Sequence, residues 1–91
     1  MWQREYHVDF TSRARRELAK VPPDDRARLA EAAIGLARDP RPRGVLRLQG
    51  SESLYRIRVG DWRIIYGLSD HMREVTVTRV LRRSESTSKD L

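Results

Sequence analysis

The chain has 91 residues, no cysteine, and 19 lysines and arginines against 13 acids, a formal net charge of +6. A chain of this length holds one compact domain that buries roughly 60–65% of its unfolded surface, and the lack of cysteine excludes a disulfide scaffold, a thiol nucleophile and a Cys-ligated zinc site. No apolar run approaches the roughly 20 residues needed to span a bilayer and no signal-peptide core opens the chain, so a cytoplasmic protein without membrane attachment is expected.

Residues 2–10 alternate, with Trp2, Arg4, Tyr6, Val8 and Phe10 on one side and Gln3, Glu5, His7 and Asp9 on the other. This predicts a half-buried strand. Thr11 or Ser12 can cap a helix that turns Ala14, Leu18 and Val21 inward, and Pro22-Pro23 ends it because neither ring nitrogen can donate a hydrogen bond. A second helix opens on Asp24 and Asp25, which suit the positive end of its dipole, and buries Leu29, Ala33 and Leu36. Asp39-Pro40 stops it, and Arg41-Pro42-Arg43-Gly44 is a loop.

The rest reads as strand. Leu46 and Leu48 precede a turn at Gly50-Ser51-Glu52, and Tyr55, Ile57 and Val59 then alternate with Leu54, Arg56 and Arg58. Gly60-Asp61 is a two-residue hairpin turn with glycine where a type II′ turn needs it. Trp62, Ile64, Tyr66 and Leu68 alternate with Arg63, Ile65 and Gly67; after a polar turn, Val75 and Val77 alternate with Thr76 and Thr78. The order β-α-α-β-β-β predicts an α+β domain over residues 1–83: an N-terminal strand, an αα-hairpin, and a three-stranded antiparallel meander completing a four-stranded sheet. One sheet face lies under the helices and the other is free for a ligand. Residues 84–91 form a polar, flexible tail.

Charge is concentrated in the middle of the chain. Residues 1–40 carry a net +1, whereas residues 41–63 carry six arginines against Glu52 and Asp61, a net +4. Arginine supplies 17 of the 19 bases, which fits either a nucleic-acid partner or a codon bias, but codon bias does not choose a segment. With Gly60-Asp61 as the turn, Val59 faces Trp62, Ile57 faces Ile64 and Tyr55 faces Tyr66, an apolar side expected to be core. On the other side Arg58 opposes Arg63, with Arg56 two residues along. Like charges directly across a strand pair are destabilising, so either acids from elsewhere neutralise the group or it binds an anion. Neither His7 nor His71 sits where it could serve as an acid or base for such a site, and no His and carboxylate spacing suggests a metal.

The run from Phe10 to Leu18, then ARDPRPRGVLRLQG at 37–50 and LYRIRVGDWRIIYGL at 54–68, resembles the RelE/ParE superfamily of type II toxin–antitoxin toxins, on its RelE side. The resemblance covers most of residues 6–83. It implies a ribosome-dependent endoribonuclease that cuts mRNA in the ribosomal A site, with the 2′-hydroxyl as nucleophile and neither metal nor cofactor. It implies Arg56, Arg58, Arg63 and Arg83 as catalytic residues, and Arg41, Arg43, Arg47 and Arg82 are the expected RNA contacts. A cognate antitoxin is the implied partner, in a hetero-oligomeric complex. Many members carry a tyrosine after the last arginine; Thr87 stands near that place here. ParE-like relatives bind DNA gyrase without nuclease chemistry, which is the alternative function, and a weakened toxin that only binds its antitoxin is a third.

Overall fold

In the computed structural model, which describes residues 5–51 and 53–83, the first strand β1 is His7–Phe10. The part of the expected strand at residues 2–4 lies outside the described residues. Val8 and Phe10 pack against the core while His7 and Asp9 are exposed, as the alternation requires. Thr11 is the cap of α1 (Ser12–Ala19), its hydroxyl accepting from the Ala14 N–H at 3.1 Å. The tight break that follows buries Val21, and the Arg26 guanidinium donates to the Val21 carbonyl at 3.0 and 3.3 Å.

Helix α2 (Pro23–Gly35) takes proline in its first turn, where the missing N–H would have no helical partner, and Asp24 and Asp25 beside it. It buries Leu29 and Ala33, with Leu36 just beyond. Where the sequence places its stop at Asp39-Pro40, the α-helix ends at Gly35, a poor helix former, and tighter turns carry the chain to Arg38 (Leu36 N to Ala33 O 3.1 Å, Ala37 N to Ile34 O 3.0 Å, Arg38 N to Gly35 O 3.2 Å).

The described residues form a five-stranded sheet in the order β1-β5-β4-β3-β2, where the sequence predicts four strands. The additional strand is β2 (Leu46–Arg47), two residues paired to β3 (Leu54–Val59), too short for any alternation to show. β3 and β4 (Trp62–Ser69) form the hairpin about Gly60, whose φ of 61° is one that L side chains avoid. β5 (Glu74–Arg82) runs antiparallel to β4 and parallel to β1, so the sheet is mixed. Tyr55, Ile57, Ile64, Tyr66, Leu68, Val75, Val77 and Val80 meet Ala14, Val21, Leu29, Ala33 and Leu36 in one core.

One irregularity decides which side chains share a face. Ile65 pairs with Arg79 but Tyr66 pairs with Val77, so Thr78 is an extra residue in β5, its hydroxyl donating to the Ile65 carbonyl at 3.2 Å. The bulge lets Val77 and Val80, three apart, both enter the core. It also turns Arg79 and Leu81 to the outer face. No helix among the described residues is long and apolar enough to cross a membrane.

Candidate nucleic-acid interface

Cross-strand partners in an antiparallel ladder project to the same side. The register therefore builds two rows across the outer face: Arg56–Ile65–Arg79 and Arg58–Arg63–Leu81. The opposed Arg58 and Arg63 expected from the hairpin turn are present as drawn. Ile65 and Leu81 are 1% and 5% exposed, so the rows of arginines include buried apolar residues and the face is less open than the sequence suggests. Arg56 and Arg63 are half-buried and Arg58 is exposed. Burial first, then the charges of Arg63 and Arg58, push the Arg56 guanidinium below its ordinary pKa. The charge of the Arg56 guanidinium is thus held at a cost, which an incoming phosphate relieves.

Arg79 is already provided for. Its Nε donates to Glu17 Oε2 at 3.0 Å, and Glu17 Oε1 accepts from the Val80 N–H at 2.7 Å. No local pattern marks this pairing, because 62 residues separate Glu17 from Arg79.

The other sequence-predicted arginines divide. Arg43 joins Arg56 and Arg58 along a groove of about 560 Å³ between α2, the 42–46 loop and β3, whose apolar walls include Leu36, Leu46, Ile57 and Val59. By register Leu46, not Arg47, shares the side of Arg56, and Arg47 is exposed opposite Tyr55. Arg41 stands at the far end of the hairpin, forked onto Asp70 at 2.8 and 3.2 Å and 5.4 Å from the centre of the Tyr55 ring. Tyr6 donates its hydroxyl to the same carboxylate at 2.5 Å. Hydrogen bonds from Arg41 and then Tyr6 hold Asp70 down at about 2, while the Asp70 bond raises both Arg41 and Tyr6. Nearby, Tyr66 stacks on Tyr55, donates to the Pro40 carbonyl at 2.6 Å, and is pushed up to about 12, chiefly by burial.

Arg82 lies on the helix side, its guanidinium carbon 4.9 Å from the centre of the Trp62 ring. Arg83 is exposed, its N–H donating to the Asp61 carbonyl at 2.6 Å, which fixes its backbone beside the turn joining Arg58's strand to Arg63's. Thr87 and the predicted tail at 84–91 lie outside the described residues. Among the described residues no group of three or more His, Cys, Asp or Glu is gathered as metal ligands are.

Residues 8–87 match the family model described as the ParE toxin of the type II toxin–antitoxin system parDE. The chain belongs to the RelE/ParE superfamily of type II toxin–antitoxin toxins. Toxin RelE of Mycobacterium tuberculosis is 33% identical to this toxin over 82 residues, 89% of this chain and 84% of the relative. Toxin RelG of the same organism is 35% identical over 81 residues, 88% of this chain and 93% of the relative. Among solved structures, the archaeal RelE–RelB complex from Pyrococcus horikoshii superposes with a TM-score of 0.79 at 26% identity, covering 90% of this toxin and 99% of that chain.

Proposed function

We propose that this toxin is a ribosome-dependent endoribonuclease that cuts mRNA in the A site, in the cytoplasm where translation occurs. The single observation that carries the reading is the Arg58–Arg63 pair, opposed across β3 and β4 with Arg56 beside it, a placement that gathers positive charge on one face and favours an anion. In such a reaction the 2′-oxygen forms a bond to the adjacent phosphorus as the bond to the 5′-oxygen breaks. The 2′-hydroxyl proton leaves and the 5′-oxygen gains one. Arg56, Arg58, Arg63 and Arg83 hold the phosphate and stabilise the negative charge that builds on its oxygens. Arginine stays protonated at neutral pH, so these residues serve as donors and not as the base.

Primer extension on a defined mRNA, with and without programmed ribosomes, tests the reading. Cuts at A-site codons only when ribosomes are present are expected, and Arg63→Ala should lower the rate by on the order of 10²-fold while leaving the thermal transition in place. Full cleavage by the folded Arg63→Ala protein refutes the assignment. The matched family model is that of ParE, so gyrase supercoiling is the second assay: inhibition without RNA cleavage would establish the gyrase reading.

A neutralising antitoxin is part of the proposal, as the RelE of Pyrococcus horikoshii was solved with RelB. The groove beside β3 offers apolar walls on its α2 side and Arg43, Arg56 and Arg58 at its rim. An antitoxin segment alternating apolar and acidic residues fits it and would cover two of the four proposed catalytic arginines.

A further inference from the structure

The Gly60 end of the sheet holds a chain of contacts that the phosphate site does not use. The Trp62 indole N–H donates to Asp25 Oδ2 at 3.0 Å, and the other oxygen of Asp25 accepts from Arg28 at 2.9 Å. Trp62 is half-buried at the margin of the core, and Arg82 lies across its ring. Trp62 and Arg82 are cross-strand partners on the helix side, while Arg63, the next residue along β4, points to the outer side with Arg58. The residue after Arg82 is anchored as well, through the Arg83 N–H on Asp61 O. The peptide leaving β5 is therefore held twice, by the side chain of Arg82 on an aromatic face and by the main chain of Arg83 on the hairpin turn. Alternation carried one residue past β5 gives Arg83 the side of Leu81 and Arg63.

A tryptophan kept only for packing needs neither a carboxylate on its nitrogen nor a guanidinium over its ring. The hydrogen bond to Asp25 orients the ring plane, and a cation over an indole within about 6 Å of its centre is attracted by the ring's electron-rich face. We infer that Trp62 is a positioning residue: its ring, braced by Asp25 at the start of α2, holds Arg82 and so fixes where Arg83 meets the phosphate bound at Arg58 and Arg63. This rests on the RNA-cleaving role proposed above for Arg83.

The test is a double-mutant cycle on the full chain with Trp62→Leu, Arg82→Ala and the pair. It is read as single-turnover cleavage on saturating programmed ribosomes and as anisotropy with a single-stranded RNA oligonucleotide. Each single variant should slow cleavage by a similar factor, on the order of fivefold, with the pair no slower than either. Trp62→Phe, which keeps a ring face but loses the bond to Asp25, should recover only part of the rate. Losses that multiply in the pair, or a normal rate in a folded Trp62→Leu protein, overturn the inference. A second readout does not depend on the nuclease. In a Trp2→Phe background Trp62 is the sole indole, and Arg82→Ala should change its emission. An unchanged spectrum removes the stack itself, and with it the proposal. If the wild type cuts no RNA but the spectrum responds, the nuclease reading has failed and the cycle is decided on RNA binding.

Discussion

The Glu17 carboxylate closes the stretch of β5 that β1 does not reach. β1 pairs with β5 only as far as Val77, which leaves the Val80 N–H on an uncovered edge, and Glu17 Oε1 accepts from it while Oε2 takes Arg79. Glu17→Gln keeps an acceptor for the N–H and gives up the ion pair; Glu17→Ala gives up both. Urea unfolding should show a loss of about 2 kcal/mol for the alanine variant and about half that for the amide, and equal losses would show that the Val80 bond contributes nothing. The arginine face should respond in the opposite direction. Arg58→Ala removes a like-charge neighbour from Arg63, so it should raise stability by up to about 0.5 kcal/mol while activity falls. A destabilised Arg58→Ala protein would mean that the cluster is neutralised in the free toxin. Asp70 sets the acid limit of the Arg41 clasp. Its pKa is lowered in the fold to about 2 from an ordinary value near 3.8, so its contribution is complete above that ordinary value and is lost as pH falls through about 2. Acid titration followed by circular dichroism should be flatter between those two pH values in Asp70→Asn; an unchanged acid limb would assign that transition to other carboxylates.

Among the elements, the β3–β4 hairpin was the most legible in the sequence. A two-residue turn with glycine first leaves a single register, which pairs Val59–Trp62, Arg58–Arg63, Ile57–Ile64 and Tyr55–Tyr66, as the structure does. Gly60→Ala must place a Cβ at a φ of 61°, though the nearest atom it would meet is an ordinary 3.6 Å away, so the cost is conformational. Thermal melts should report a loss of about 1 kcal/mol, and no loss would show that the turn can change type. What could not be read was long-range or aperiodic. Strict alternation from Val75 and Val77 would turn Arg79 inward and set Arg82 on the outer face among the RNA contacts; the extra residue Thr78 reverses both placements. Nothing local marks Asp70 as the partner of Arg41, 29 residues away, and a two-residue strand such as Leu46–Arg47 has no period to detect. The parallel pairing of β1 with β5 joins opposite ends of the chain through no turn at all.

For the whole molecule, the governing quantity is where a net +6 is spent. Several arginines are held by acids within the fold: Arg28 by Asp25, Arg38 by Glu5, Arg41 by Asp70 and Arg79 by Glu17. Arg56, Arg58 and Arg63 stand together on one face. If these three and Arg83 each neutralise a phosphate of the bound strand, the logarithm of RNA affinity should fall against the logarithm of salt concentration with a slope of about −3. Arg58→Ala should flatten it by about 0.7, and Arg41→Ala should leave it unchanged. A slope that changes equally for both variants would indicate diffuse attraction over the whole surface.

Among the described strands β5 is the last in the chain and yet lies between β1 and β4. Until residue 82 has emerged, β1 has no neighbour, the core lacks Val75, Val77 and Val80, and neither row of the arginine face has its end on β5. A chain that still lacks β5 therefore has an open core and an unfinished arginine face at once, so the strand that closes the fold is also the one that assembles the surface proposed to meet the phosphate.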